Sequence, residues 1–257
     1  MDNKLLMDTA VLAGEILLTS GAETNRVEDT VNRILMTSEL EKGEALAIST
    51  GIFALLEDKN KIVATSIRRV KRRETNLNNI YLVNNVSRDF CSGKCTLSQA
   101  YSALTGIAQG KQYNNILLLL CYIITSASFT LLFGGGVFEC MVSAINGIII
   151  FFIGLIKTRK DMNRLIVKML QSLAMAIFTV LFINLLNLNI NLETVIAGSI
   201  MPLVPGVALT NSIRDLFHGD YLSGGARFIE AFVSVTFIAM GFGLGLLLGK
   251  IVFGGII

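Results

Sequence analysis

Charge nearly disappears from the chain beyond residue 111. Residues 1–111 carry 27 of the 41 Asp, Glu, Lys and Arg side chains, and the other 146 residues carry 14. Those 14 are clustered, which leaves five charge-free stretches: 112–138, 140–156, 169–192, 194–213 and 231–249. A bilayer core of about 30 Å takes about 20 helical residues, so each stretch is long enough, or nearly so, to cross one. A mean hydropathy of +0.63, with only 16% charged residues, likewise excludes an ordinary soluble domain. The net charge of +3 is too small to argue for a nucleic-acid partner.

Other scarcities narrow the chemistry. Histidine occurs once, at His218, and cysteine four times. Cys121 and Cys140 lie in or beside apolar stretches, and Cys91 and Cys95 are four apart with no histidine nearby. That is neither a disulfide scaffold nor a zinc site, and reduced thiols are the simpler account. There is no phosphate-cradling glycine loop and no nucleophile elbow, so no catalytic residue, metal or cofactor is assigned. Asp2, Asp8 and Glu15 interrupt any apolar core at the start, which argues against a signal peptide.

These features predict a polytopic α-helical membrane protein with five transmembrane helices, preceded by a cytoplasmic α+β domain. The domain covers 1–111 and the membrane part 112–257, with spans near 115–133, 137–156, 165–186, 194–210 and 228–249. Lys157, Arg159, Lys160, Arg164 and Lys168 follow the second span, and Arg214 and Arg227 lie between the fourth and fifth. The positive-inside rule makes those loops cytoplasmic, and five spans then leave the N-terminal domain in the cytoplasm.

Within 1–111, Leu5, Thr9, Leu12 and Ile16 have helical spacing, with Gly21 placed to stop the helix. A second amphipathic helix carries Val27, Val31, Ile34 and Leu35. Strands are expected over 44–56 and 62–70, joined by a polar turn at Asp58-Lys59-Asn60-Lys61. Helices follow near 78–90 and 97–109, the second opening on a capping box, Thr96 to Gln99. Arg68, Arg69, Lys71, Arg72 and Arg73 form a basic run that is either a solvated strand end or a contact for anionic lipid headgroups.

Gly21-Ala22-Glu23-Thr24-Asn25-Arg26-Val27-Glu28 packs two carboxylates, a guanidinium and a hydroxyl around a helix start. The residues alone allow two readings. Glu23 can favour the helix dipole while Arg26 pairs locally, or Glu23 and Glu28 can act as acid and base.

In the apolar half, Asn146 sits near the middle of the second span, where it must find a partner: structural glue or pathway lining. The only two prolines, Pro202 and Pro205, stand three apart in Ser199-Ile200-Met201-Pro202-Leu203-Val204-Pro205-Gly206. Each removes an amide donor, and broken helices at membrane depth build substrate sites in many transporters. A charged mouth follows, with Asp215, Asp220, Arg227 and Glu230. Gly241, Gly245 and Gly249 form a small-residue stripe on the last span, where another helix can approach closely; the close partner lies within the bundle or in another chain, and a second subunit is expected to dock there.

Three pieces in this order, Gly-Ala-Glu-Thr-Asn-Arg-Val-Glu at 21–28, Pro-Leu-Val-Pro-Gly at 202–206 and the segment 215–230, resemble the threonine/serine exporter family (ThrE), and more narrowly its YjjP-like subunit. The resemblance implies export of small amino acids (threonine/serine) or dicarboxylates such as succinate across a bacterial inner membrane. It carries over Glu23, Thr24, Arg26 and Glu28 in the cytoplasmic motif, and Pro202, Pro205, Gly206, Asp215, Arg227 and Glu230 in the membrane half. With Asn146, Ser199 and Asp220, the latter set makes the expected substrate pathway. Single-chain members have about ten spans, which implies a second small membrane subunit as partner beside the substrate and membrane lipid. Two rival functions stand: a membrane-anchored hydrolase-like enzyme and a metabolite-sensing subunit of a separate pore.

Overall fold

The computed structural model describes residues 2–38, 42–57, 63–71, 73–110, 113–160, 162–186 and 190–253. The turn at Asp58–Lys61 and Arg72 of the basic run lie outside the described residues, as do the side chains of Lys157, Arg159 and Lys160. The chain forms two compact units: Met1–Lys111 with Gly206–Glu230, and Gln112–Pro205 with Ala231–Ile257. The first thus takes in a segment assigned from sequence to the membrane half.

The first unit is built around α1 (Asn3–Thr19). Asp2 starts it by accepting the amides of Lys4 and Leu5 at 3.0 and 3.2 Å. Ten of its side chains or backbone positions are buried, including Leu6, Val11, Leu17 and Leu18, so it is a central helix rather than a one-faced surface helix. Gly21, at φ 83°, ends it in the left-handed region that glycine adopts without strain. Around it pack α2 (Thr24–Leu35), a sheet of β1 (Lys42–Ile48), β2 (Gly51–Glu57) and β3 (Val63–Arg69), then α3 (Leu77–Cys91) and α4 (Leu97–Gln109). Their buried residues, among them Val27, Val31, Ile52, Leu56, Val83 and Leu104, make one core.

The sheet has the order β1-β2-β3 and is antiparallel throughout, with Leu46 opposite Phe53 and Phe53 opposite Ile67. The expected strand 44–56 is therefore a hairpin turned at Ser49-Thr50, which the unbroken Ile, Thr and Phe run conceals. The α4 capping box is present in full: Thr96 Oγ1 accepts from the Gln99 amide at 3.3 Å, and Gln99 Oε1 from the Thr96 amide at 2.8 Å.

Two more helices complete this unit. They are α9 (Gly206–Phe217) and the first part of α10 (Tyr221–Phe253), joined by a tight turn with Gly219 at φ 90°. Residues 215–230, which read as a loop, are thus mostly helical.

The second unit holds α5 (Asn115–Leu132), α6 (Val137–Lys160), α7 (Arg164–Leu186), α8 (Leu192–Ile200) with a 3-10 turn (Met201–Leu203), and the rest of α10. Among the described residues four helices, α5, α6, α7 and α10, are long and apolar enough to cross a membrane. Counting α8 and α9 as one broken span makes five. The glycine stripe is occupied from within the unit. A Cβ on Gly241 would lie 2.2 Å from Met169 O, one on Gly245 2.7 Å from Leu173 O, and one on Gly249 2.8 Å from Val180 Cγ1, all on α7. Small residues permit close approach without naming the partner helix, and of the two expected partners it is one within the bundle, α7, that packs on the stripe.

Candidate functional site

In the first unit the motif at 21–28 is clasped by α9 and α10. Asp215 accepts the Thr24 amide through Oδ1 at 3.1 Å and the Thr24 hydroxyl through Oδ2 at 3.2 Å. Arg227 lies 3.3 Å from the same Oδ2, with 6% and 1% of the two side chains exposed. Arg227 also donates to Ala22 O at 2.8 Å, and Asn211 to Gly21 O at 2.8 Å. Asp215 therefore supplies the anionic cap that the first turn of α2 lacks locally. Glu23, at the N-cap position, makes no side-chain cap bond. It instead forms an ion pair with Arg214, and the side-chain cap comes from Asp215, 191 positions beyond Thr24.

Glu230, expected at the mouth of a pathway, receives a hydrogen bond from Arg73 at 2.7 Å. Asp220 lies in the turn between α9 and α10, and His218 Nδ1 is 2.8 Å from Arg214 O.

Glu23 and Glu28 serve different neighbours. Glu28 accepts the Ala47 amide at 2.8 Å, satisfying a donor on β1, an edge strand. Burial pushes the Glu28 carboxyl above the ordinary value of 4.5; the Ala47 amide opposes this, and the charges of Asp220 and Asp215 add to it. The folded state therefore holds the Glu28 proton more tightly than the unfolded chain does. This contribution to stability is fully present below pH 4.5 and is lost as pH rises through the raised native value. Glu28→Gln keeps the acceptor and removes the titration. It is expected to flatten that part of the stability profile, measured by thermal unfolding at stepped pH; an unchanged slope would reassign it to another group.

A cavity of about 360 Å³ opens over the motif, lined by Ala22, Glu23 and Arg26, by Leu77, Ile80, Tyr81 and Asn84 of α3, and by Val207, Asn211 and Arg214 of α9. Arg26 is exposed and makes no ion pair among the described residues, contrary to the expected local pairing.

The second unit contains a buried polar network. Asn146 donates to Thr179 Oγ1 at 2.9 Å and to Ser199 Oγ at 3.0 Å. Ser199 donates to Ser143 at 3.2 Å, Ser143 to Val195 O at 3.2 Å, and Thr130 lies 2.6 Å from Ser143. All five side chains are fully buried. Asn146 Oδ1 and Ser126 Oγ, also buried, have no hydrogen-bond partner among the described residues. An orphaned acceptor in a water-poor interior costs about 1–3 kcal/mol. Gly198 admits the approach of α8 to α5, since a Cβ there would fall 2.0 Å from Thr130 Oγ1.

Sequence reasoning singled out Asn146 and Ser199 for the pathway, but not Ser143 or Thr179. Hydroxyls one turn apart in apolar helices carry a signal for close packing, and nothing in their spacing says that they converge. Pro202 lies in the 3-10 turn and Pro205 just ahead of α9; among the described residues no hydrogen bond ties either to the network.

A family model described as "Putative threonine/serine exporter" (ThrE) matches residues 8–249. No curated protein and no solved structure matches the chain.

Proposed function

The chain belongs to the threonine/serine exporter family, and from that premise we propose that it is one subunit of a bacterial inner-membrane secondary exporter of small amino acids or dicarboxylates. Transport and a multi-pass membrane location accord with the family and with its apolar helices. The network around Asn146 carries the assignment of the route. It is a built polar patch inside predominantly apolar helices, and Asn146 Oδ1 has no hydrogen-bond partner among the described residues. It contains no ionised group, so it suits the hydroxyl, ammonium or water shell of a small polar solute.

Pro202, Pro205 and Gly206 continue the route. The nine residues of α8 and three of the turn reach only about 20 Å, against about 30 Å of hydrocarbon. Backbone freed by the prolines there needs water or protein partners, which supports a solvated opening at 204–206. The packing of 206–230 with 1–111 in one unit supports placing both on one side of the membrane. The positive-inside rule makes that side the cytoplasm. A second small membrane subunit would complete the transport unit.

Efflux of labelled threonine or succinate from cells expressing the chain with its partner tests this. Asn146→Ala and Ser199→Ala are each expected to lower efflux at least about tenfold, the loss of one or two buried hydrogen bonds. Membrane abundance should stay normal. Pro202→Ala, Pro205→Ala and Glu230→Gln should also reduce it. Abundance falling in step with efflux would make the network packing glue, and unchanged efflux would remove it from the route.

A further inference from the structure

We infer that the cavity over the 21–28 motif is a binding site for a small carboxylate, anchored by Arg26. Its volume, about 360 Å³, lies at the small end of ligand pockets. It has room for a metabolite of a few carbons. The charge balance selects the sign of the ligand. Glu23 is already paired with Arg214, so the uncompensated charge at the cavity is the Arg26 guanidinium. That group offers a fork of N–H donors matched to a carboxylate. Asn84 adds an amide, and the buried Ala22 and Ile80 form an apolar wall.

The wall is also held in place before any ligand arrives. Arg227 and Asn211 fix the carbonyls of Ala22 and Gly21, and Asp215 fixes Thr24. A site whose backbone is already ordered loses less on binding. The same carboxylate chemistry can come from a zwitterionic amino acid, whose ammonium would face Glu23, or from a dicarboxylate, whose second charge would draw on Arg214. The site is distinct from the route in the second unit, and its occupancy needs no flux.

The test uses the full chain purified in detergent. The chain has no tryptophan, and Tyr81 stands at the cavity 63% exposed, so Tyr81→Trp provides a single local reporter. Titration with threonine, and separately with succinate, is expected to give a saturable fluorescence change with at least one. Arg26→Gln on that background should weaken binding roughly 10- to 100-fold, as expected for losing a charged hydrogen-bond pair, with partial recovery in Arg26→Lys. Glu23→Gln should weaken threonine binding but tighten succinate binding, because it removes the ammonium partner and frees Arg214. Thermal stabilisation of the unmodified chain by the same ligand provides a label-free second measure. No saturable change with either compound up to about 10 mM, or equal affinity in Arg26→Gln, overturns the site. Loss of efflux in Asn146→Ala leaves this titration intact, so the two proposals fail separately.

Discussion

Asp215→Ala is expected to destabilise the first unit by about 3–5 kcal/mol, the cost of stranding one member of a buried ion pair. The change removes three things together: the partner of a buried Arg227, the acceptor for the Thr24 amide and the acceptor for the Thr24 hydroxyl. Amide exchange over α2 in the purified full chain should quicken by roughly two to four powers of ten if this opening controls it. Asp215→Asn should fall between, since its oxygen still caps Thr24 while the charge is gone. The double substitution Asp215→Leu with Arg227→Met should recover much of the loss, because buried pairs are often replaceable by apolar residues of similar size. Unaltered exchange in Asp215→Ala would mean that the clasp contributes nothing to the stability of the motif.

The second large effect lies on α10. Gly241→Ala places a Cβ 2.2 Å from Met169 O and 2.3 Å from Ser172 Oγ. A backbone carbonyl cannot rotate away, so α7 and α10 must separate, at a cost toward the upper end of the about 1–3 kcal/mol typical of overpacking. Two positions further on, Gly243 has nothing within 4 Å of an added Cβ. Gly243→Ala should therefore be neutral or stabilising, by up to about 1 kcal/mol from helix propensity. The measurement is the midpoint of thermal aggregation in detergent for the two variants side by side. Equal midpoints would rule out the α7–α10 contact as the reason for the stripe.

These two regions also mark where the sequence could be read and where it could not. Local rules worked well. The stop at Gly21, the Thr96–Gln99 box and the apolar runs of α5 to α7 follow from residues within one or two turns of each other. Non-local closure did not follow. The motif at 21–28 contains its own carboxylates, so capping from within was the economical expectation, yet Asp215 does it. Residues 206–217 are as apolar as a membrane segment at their start, and only their bonds to Gly21, Glu23 and Thr24 reveal that they complete the first unit. In the network, Asn146 was conspicuous because amides are rare at such depth, whereas serine and threonine satisfy themselves on their own helix. Only the fold shows Ser143 reaching across to Val195 and Ser199.

The two-part make-up of the first unit has a consequence for biogenesis. Its N-terminal 111 residues leave the ribosome well before α9 exists, and all of 112–205 must be made in between. At about 5–20 residues per second, those 94 residues impose a delay of roughly 5–20 s. During that interval the first turn of α2 waits without its cap. The unit closes only when residue 215 emerges and finds Thr24, after the first apolar helices have been handed to the membrane. Completion of this unit thus acts as a clock on synthesis, and a nascent chain truncated before residue 206 should expose residues 21–28 to protease, whereas one extended past residue 230 should protect them.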